Sequence, residues 1–516
     1  MIPRNSCAVV SAILLVVVGC ATIVGDFDAL PPGSGAGASS AVGGSGAIGG
    51  THSASEGGRS EALPSAGGTA GIGGVAGNAN VGGGEPNGGS AASSDAGTDA
   101  GSASDSYVLQ GAPLPFSPTM HGFGLNAVLA SGDPATLRAH VRAVGTTSWG
   151  AIALPAIRGA DIAQWVFEGL SPGIRFEYEI LAPVGSAYSP LYSGSAVTQR
   201  QPGEAFTFSL ITDSHIGPHA DYPNQGIWSV LEAVSAEAGA VTPDFMVNLG
   251  DMLDFHEIGF NDPPPDGSYT RLAYLNYRTL LGDTLGHTSH YGVIGTWEGE
   301  DGCYTAEELE RSRSQRLLYM PGPEPATYPQ GGSPTEDYYA FTWGDALFIV
   351  LNVMTYTTTQ HLLSYYPGLP DDWTLGQAQL SWFADTLAKA TSKWRFVLIH
   401  HPVGGAAGDP EDSAYGRGGG QAAYVGEQAT VHQLMLDHGV QIFFYGHDHV
   451  FTDMQVDGIH YTEPGNAGAP WMFTQDLTGY TQSWRTHGWS RVTVSPNAVN
   501  VQFIEMGGGV IYEYTL

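Results

Sequence analysis

A chain of 516 residues with 42% hydrophobic and 10% aromatic residues can bury at least one large core, while its 73 glycines mark a sizeable non-globular portion. The formal charge is -32, and Lys389 and Lys393 are the only lysines. Nucleic-acid backbones and anionic membrane surfaces are gripped by clustered Lys and Arg, so neither a nucleic-acid partner nor a polybasic membrane site is expected.

Arg4 precedes an apolar stretch over residues 8–18 that only Ser11 interrupts. It is shorter than the ~20 residues that span a bilayer and fits the apolar region of a secretory signal. Its end, Val17-Val18-Gly19-Cys20, resembles the lipobox of bacterial lipoproteins. That resemblance implies a signal over residues 1–19, a lipid on Cys20 as the sole membrane attachment, and an exported protein at the outer membrane or cell surface. A plain signal peptide that contains a cysteine is the other reading. Residues 20–105 then read as a disordered tether, because 33–104 are almost all Gly, Ala, Ser and small polar residues that cannot bury enough apolar surface to offset ordering entropy. Of the three cysteines only Cys303 lies in the folded part, so no intramolecular disulfide framework forms there, and a buried, inert thiol is expected.

Residues 106–200 show short strand-like runs at 137–144, 148–154 and 176–181, separated by Gly, Pro and Asp clusters, which predicts a small all-β sandwich. The run from Phe167 to Tyr178, with Leu170, Gly173 and Phe176, resembles the fibronectin type III-like domain that precedes the catalytic domain of purple acid phosphatases.

From residue 204 to 516 apolar strands alternate with amphipathic helices, the mark of an α/β layered domain. Buried strands are predicted at 206–211, 245–249, 291–294, 347–351, 395–399 and 440–445. Leu380, Phe383 and Leu387 recur at helical spacing within 375–390, and Thr374 with Gln377 predicts a capping box. The stretch 338–351, turning at Gly344-Asp345, reads as a hairpin.

Chemistry is concentrated behind these strands. Asp213 and His215 follow one, Asp251 and Asp254 a second, His400 and His401 a third, and His447 and His449 a fourth. Open α/β sheets place their ligand sites at such carboxyl ends. Carboxylates and neutral imidazoles suit first-row metals, and a cluster of this composition can hold two of them to activate water for phosphoryl displacement.

Asp213-Ser-His215, Gly250-Asp251-Met-Leu-Asp254, His400-His-Pro402 and Gly446-His447-Asp-His449 resemble, in order, four of the five signature blocks of calcineurin-like metallophosphoesterases. The resemblance implies a four-layer β-sandwich flanked by helices, with the all-β domain before it. It implies two first-row cations of Fe, Mn or Zn: Asp213, His215 and His449 would hold the first, His400 and His447 the second, and Asp251 would bridge. The fifth block departs from the family. Gly295-Thr296-Trp297-Glu298 stands where an asparagine and a histidine belong, so Thr296 offers a hydroxyl, a poorer ligand than an amide, and Trp297 removes a donor. His290 and His256, with His287 and His401, are the candidate substitutes for that histidine. Asp254 occupies the place of the tyrosine that colours purple acid phosphatases, so no colour is expected.

A hydrolase of small phosphorylated substrates, with a monoester favoured over a diester by the resemblance, is the leading expectation. A surface-binding module that retains the fold with weak or no activity is its competitor, on the strength of Thr296 and Trp297.

Overall fold

The computed structural model describes residues 107–220, 225–254, 267–300, 306–353, 375–400, 427, 429–472 and 482–516. Cys20 and the tether, Cys303, His256, His401 and Thr374 lie outside the described residues.

The first region is all β. One sheet holds β1 (Val108–Leu109), β2 (Leu114–Thr119), β3 (Gly122–Ser131), β5 (Ala156–Arg158) and β6 (Ile162–Phe167), with β3 at its centre. The other is the antiparallel set β4 (Arg138–Ala143), β7 (Arg175–Val184) and β8 (Ala187–Val197). Phe123, Leu125, Trp165 and Phe167 meet Val141, Phe176, Tyr178 and Ile180 in a shared core, so the predicted sandwich is present. The strand expected at 148–154 is not. That stretch meets β4 through a bridge between Ala139 and Ala153, a Gly150 N–H bond to the Val141 carbonyl and the Trp149 ring stacked on His140, yet leaves Ile152 and Leu154 exposed, because no second layer covers these apolar side chains.

Beyond it lie two larger sheets. The first runs β11 (Ser289–Gly292), β10 (Phe245–Asn248), β9 (Phe206–Ile211), β19 (Gly488–Val494), β20 (Val499–Glu505), β21 (Gly509–Thr515). The second runs β12 (Tyr339–Trp343), β13 (Ala346–Val350), β14 (Trp394–Leu398), β15 (Ile442–Phe444), β17 (Ile459–Pro464), β16 (Phe451–Val456), β18 (Gln482–Trp484). Side chains alternate along a strand, and here both faces are buried, which explains the continuous apolar runs. Phe208, Val247, Phe348, Phe396 and Phe444 pack between the sheets. Their neighbours Met246, Ile349, Val397 and Phe443 point outward beneath helices. On one side these are α1 (Trp228–Ala240), α2 (Ser268–Leu280) and α3 (Gly282–His287), and on the other α6 (Gly376–Lys389) and α7 (Ala429–Asp437), with α4 (Thr296–Glu300) and α5 (Ala306–Tyr319) following β11. The result is the expected four-layer arrangement. Helix α6 begins one residue later than a cap at Thr374 requires. Its N-cap is Leu375, which makes no side-chain cap bond and donates its N–H to Glu427.

The β-sandwich and the layered region share core. Leu114, Phe116, Val128 and Ile162 pack with Tyr274 and Tyr277 of α2, and Tyr178 Oη donates to the Gly286 carbonyl.

Strand parity also settles His290. It pairs with Met246, which faces the helices, whereas Tyr291 pairs with Val247, which faces between the sheets. The ring is therefore drawn away from the strand ends and meets Tyr277 Oη through Nε2 at 3.1 Å. Burial, aided by the charge of Arg278, pulls its pKa down to about 3. The folded state thus refuses a proton that the unfolded chain accepts below pH ~6.5. Its stabilising contribution is full above that value and is lost as pH falls toward 3, with about 2 kcal/mol gone at pH 5. His290→Gln should flatten the fall in thermal midpoint between pH 7 and 5; identical slopes would mean that the imidazole is not held neutral.

Candidate metal centre

Strands β9, β10, β14 and β15 all end on the same side, and the chain breaks sharply after each. Asp213 (φ 53°), His215 (φ 52°), Asp251 (φ 48°), His447 (φ 87°) and His449 (φ 60°) adopt the left-handed region. Such backbone costs on the order of 1–3 kcal/mol per residue and persists where surrounding structure imposes it, typically at functional sites. Glycines make the crowding possible. A Cβ on Gly250 would sit 2.7 Å from His400 Nδ1, and one on Gly295 would sit 2.1 Å from Asp251 N.

These turns bring six of the sequence-predicted ligands together as two groups, Asp213, His215, Asp251 and His449, and Asp251, His400 and His447, all buried. Asp251 belongs to both. Its Oδ2 lies 3.4 Å from His215 Nε2 and 3.2 Å from His400 Nε2, and Asp213 Oδ1 lies 3.4 Å from His449 Nε2.

The rings are aimed by their far nitrogens. His400 Nδ1 meets the Leu249 carbonyl at 3.0 Å, and His449 Nδ1 meets the Trp471 carbonyl at 2.8 Å. A carbonyl only accepts, so both Nδ1 atoms carry hydrogen and, in the neutral rings, both Nε2 atoms present lone pairs to the cluster. His215 Nδ1 is held by Asp254 Oδ2 at 2.7 Å in the same sense. His215 Nε2 and His449 Nε2 then face one another at 3.1 Å, and His447 Nδ1 faces His400 Nε2 at 3.3 Å. Opposed lone pairs repel unless a cation sits between them, and metal–nitrogen bonds of ~2.0–2.1 Å place two ligand nitrogens roughly 3–3.5 Å apart. Asp213 is fixed in turn by Thr212 Oγ1, which donates to Oδ2, and by the His447 N–H.

Without a cation the clustered carboxylates attract protons. Burial disfavours the imidazolium of His215, yet Asp213, Asp254 and Asp251 outweigh it and push its pKa up to about 10. Burial likewise opposes charge on His400, and Asp251 raises it to about 9. Those same two histidines, above all His400, hold the Asp251 carboxyl below its usual range in spite of its burial. A metal ion takes the place of these protons, so binding releases them and tightens as pH rises.

The fifth block has a structural role that its sequence did not disclose. Glu298, fully buried, accepts from Asp251 N and Gly295 N through Oε2, each at 3.0 Å, and from Leu253 N through Oε1 at 2.9 Å. Burial first, and the charge of Asp251 second, raise its pKa to about 7. Trp297 gives its backbone N–H to Asp251 Oδ1 at 3.3 Å, while its side chain packs in the apolar core beside the helices. Thr296 is 5% exposed, and its Oγ1 is a buried oxygen with no hydrogen-bond partner among the described residues. His290 does not join the cluster, and His287 lies beyond it too, with its Nδ1 against Ser195 Oγ of β8. Trp471, which nothing in the motifs indicated, stands with its ring 5.0 Å from that of His215 and 5.4 Å from that of His449. The donor set, its charge and the opposed lone pairs all fit first-row cations.

The family model described as calcineurin-like phosphoesterase matches residues 206–451. This segment is similar to calcineurin-like phosphoesterase domains. It contains every ligand candidate, from Asp213 after β9 to His449 before β16. A solved structure titled "Structure of PhoD" matches at 14% identity with a TM-score of 0.59, over 80% of this chain and 89% of that one, and shares the fold of the phosphoesterase domain and its all-β neighbour. GAP50, the anchor in the inner membrane complex of Plasmodium, matches at 16% identity with a TM-score of 0.37, over 60% of this chain and 88% of that one, a score too low to establish a common fold. Among curated proteins there is no match.

Proposed function

We propose that the protein hydrolyses phosphoric esters, with monoesters preferred, at a site for two first-row cations. The supporting observation is the shared carboxylate: Asp251 Oδ2 lies within 3.4 Å of an imidazole from each group, the arrangement needed to bridge two ions. When bound, such a pair supplies Lewis acidity, which lowers the pKa of water and offsets charge that develops on a phosphoryl group.

The residues divide the remaining work. Asp213, His215 and His449 hold one position and His400 and His447 the other, while Asp251 fixes their separation. Asp254, Leu249 O and Trp471 O keep three rings in the lone-pair-inward tautomer. Glu298 restrains the loop that carries Asp251. Position 297 supplies no proton to a leaving group, since an indole does not release one, so unless His256 or His401 takes that role, esters with weakly basic leaving groups react best. The preference for monoesters rests on the resemblance of the 167–178 run, which links β6 to β7, to the domain that precedes purple acid phosphatase catalytic domains.

The test compares kcat/KM for p-nitrophenyl phosphate and its bis ester on the full chain loaded with Mn, Zn or Fe. Faster monoester cleavage supports the proposal. Faster diester cleavage reassigns the substrate class, and no cleavage with any metal favours the binding-module reading that Thr296 and Trp297 suggest.

A further inference from the structure

The loop after β17 is bound to the ligand turns along its length. Ala467 N donates to Thr212 O at 2.8 Å and Ala469 N to Asp213 O at 2.9 Å. Asn466 closes the turn, with its Oδ1 accepting from Gly468 N and its Nδ2 donating to Ala469 O. His487 Nε2 meets the same Ala469 carbonyl at 3.0 Å. This loop carries Trp471, a partly exposed residue whose carbonyl fixes His449 and whose ring stands beside both imidazoles of the first group. An indole beside a strongly polar centre, held by backbone bonds to a metal-ligand turn, is preorganised for contact with whatever is seated there.

A phosphoester places its phosphoryl group among the ligands and its organic group toward the rim. Trp471 presents to that group a large, flat apolar surface with a π face, which favours stacked aromatic partners. Position 297 points the same way independently. With no acidic side chain there to protonate the departing oxygen, turnover favours alcohols whose anions are stable unaided, and phenols are far more acidic than alkanols.

We propose that Trp471 forms the leaving-group subsite and selects phosphoesters of flat aromatic alcohols over those of alkyl alcohols. This rests on the phosphoesterase reading, and the test separates the two. On the metal-loaded full chain, the Kd of phenylphosphonate and of methylphosphonate would be measured by calorimetry for wild type, Trp471→Phe and Trp471→Leu. Metal content would be determined on each sample, and kcat and KM for phenyl and ethyl phosphate measured alongside.

Wild type should bind phenylphosphonate more tightly, and Trp471→Leu should weaken it on the order of tenfold, within the range of single stacking contacts. Methylphosphonate should be unchanged, and Trp471→Phe should keep most of the preference. Equal affinity for the two phosphonates in wild type, no measurable binding of either, or an equal loss for both in Trp471→Leu accompanied by lost metal would overturn the proposal, the last by reducing Trp471 to a support for His215 and His449. Phosphonate discrimination without hydrolysis would instead retain the subsite and reject the phosphoesterase reading.

Discussion

Asp251→Asn should abolish metal-dependent hydrolysis while leaving the chain folded. The substitution preserves shape but removes the one negative charge common to both groups, and it can leave an amide nitrogen where Oδ2 faces His215 at 3.4 Å and His400 at 3.2 Å. Those histidines lose the carboxylate that draws positive charge to them. Loss of a partner that merely orients a ligand already costs ~10–100-fold in metal affinity or activity, so a bridging ligand should cost at least ~10²-fold, with metal content falling in parallel. Turnover that persists within a few-fold of wild type would remove Asp251 from the centre. The backbone around it, held by Glu298 and by Trp297 N–H, argues that the fold survives.

Arg278→Met should destabilise the chain strongly. Arg278 of α2 is fully buried and, among the described residues, pairs with no carboxylate. Nη1 donates to Asn126 Oδ1 at 2.8 Å and Tyr319 O at 2.7 Å, and Nη2 to Asn126 O at 3.0 Å and Ala112 O at 3.3 Å. One side chain thus joins β3 of the sandwich, the segment before β2 and the end of α5. Desolvation pulls its pKa down to about 10, so it stays charged at neutral pH. Methionine fills much of the volume yet leaves the carbonyl acceptors without donors in a closed interior. Breaking a buried charged network in this way costs about 3–5 kcal/mol. For a chain of this size the thermal midpoint should fall by roughly 3–6 °C. A fall under about 2 °C would mean that water replaces the guanidinium and that the joint between the two regions is wet.

The sequence made the strands and ligand blocks legible for one physical reason. Strands buried on both faces read as unbroken apolar runs, and a polar Asp or His immediately after such a run has nowhere to go but the sheet end. Groups that act through space were harder to read. Asp254 was visible as a carboxylate, but its bond to His215 Nδ1 depends on how two loops meet. Trp471 lies beyond a glycine-rich turn with no motif around it, and only the backbone bonds from Ala467 and Ala469 reveal its place. Glu298 belonged to the block that departs from the family pattern, which drew attention to Thr296 and Trp297 instead. His290 was recoverable: Tyr291 and Val293 are the inward-facing positions of that run, and alternation alone turns residue 290 toward the helices. The stretch at 148–154 had apolar residues of strand type, but local pattern does not tell whether a second layer covers them.

The most direct test of the two-cation centre is the rate of p-nitrophenol release by the full chain, measured against metal equivalents bound, as metal-free protein is titrated with Mn, Zn or Fe. The arrangement around Asp251 predicts saturation at two equivalents per chain, with turnover appearing as the second is bound. Turnover by the metal-free protein, or saturation with no more than one equivalent bound, would contradict it.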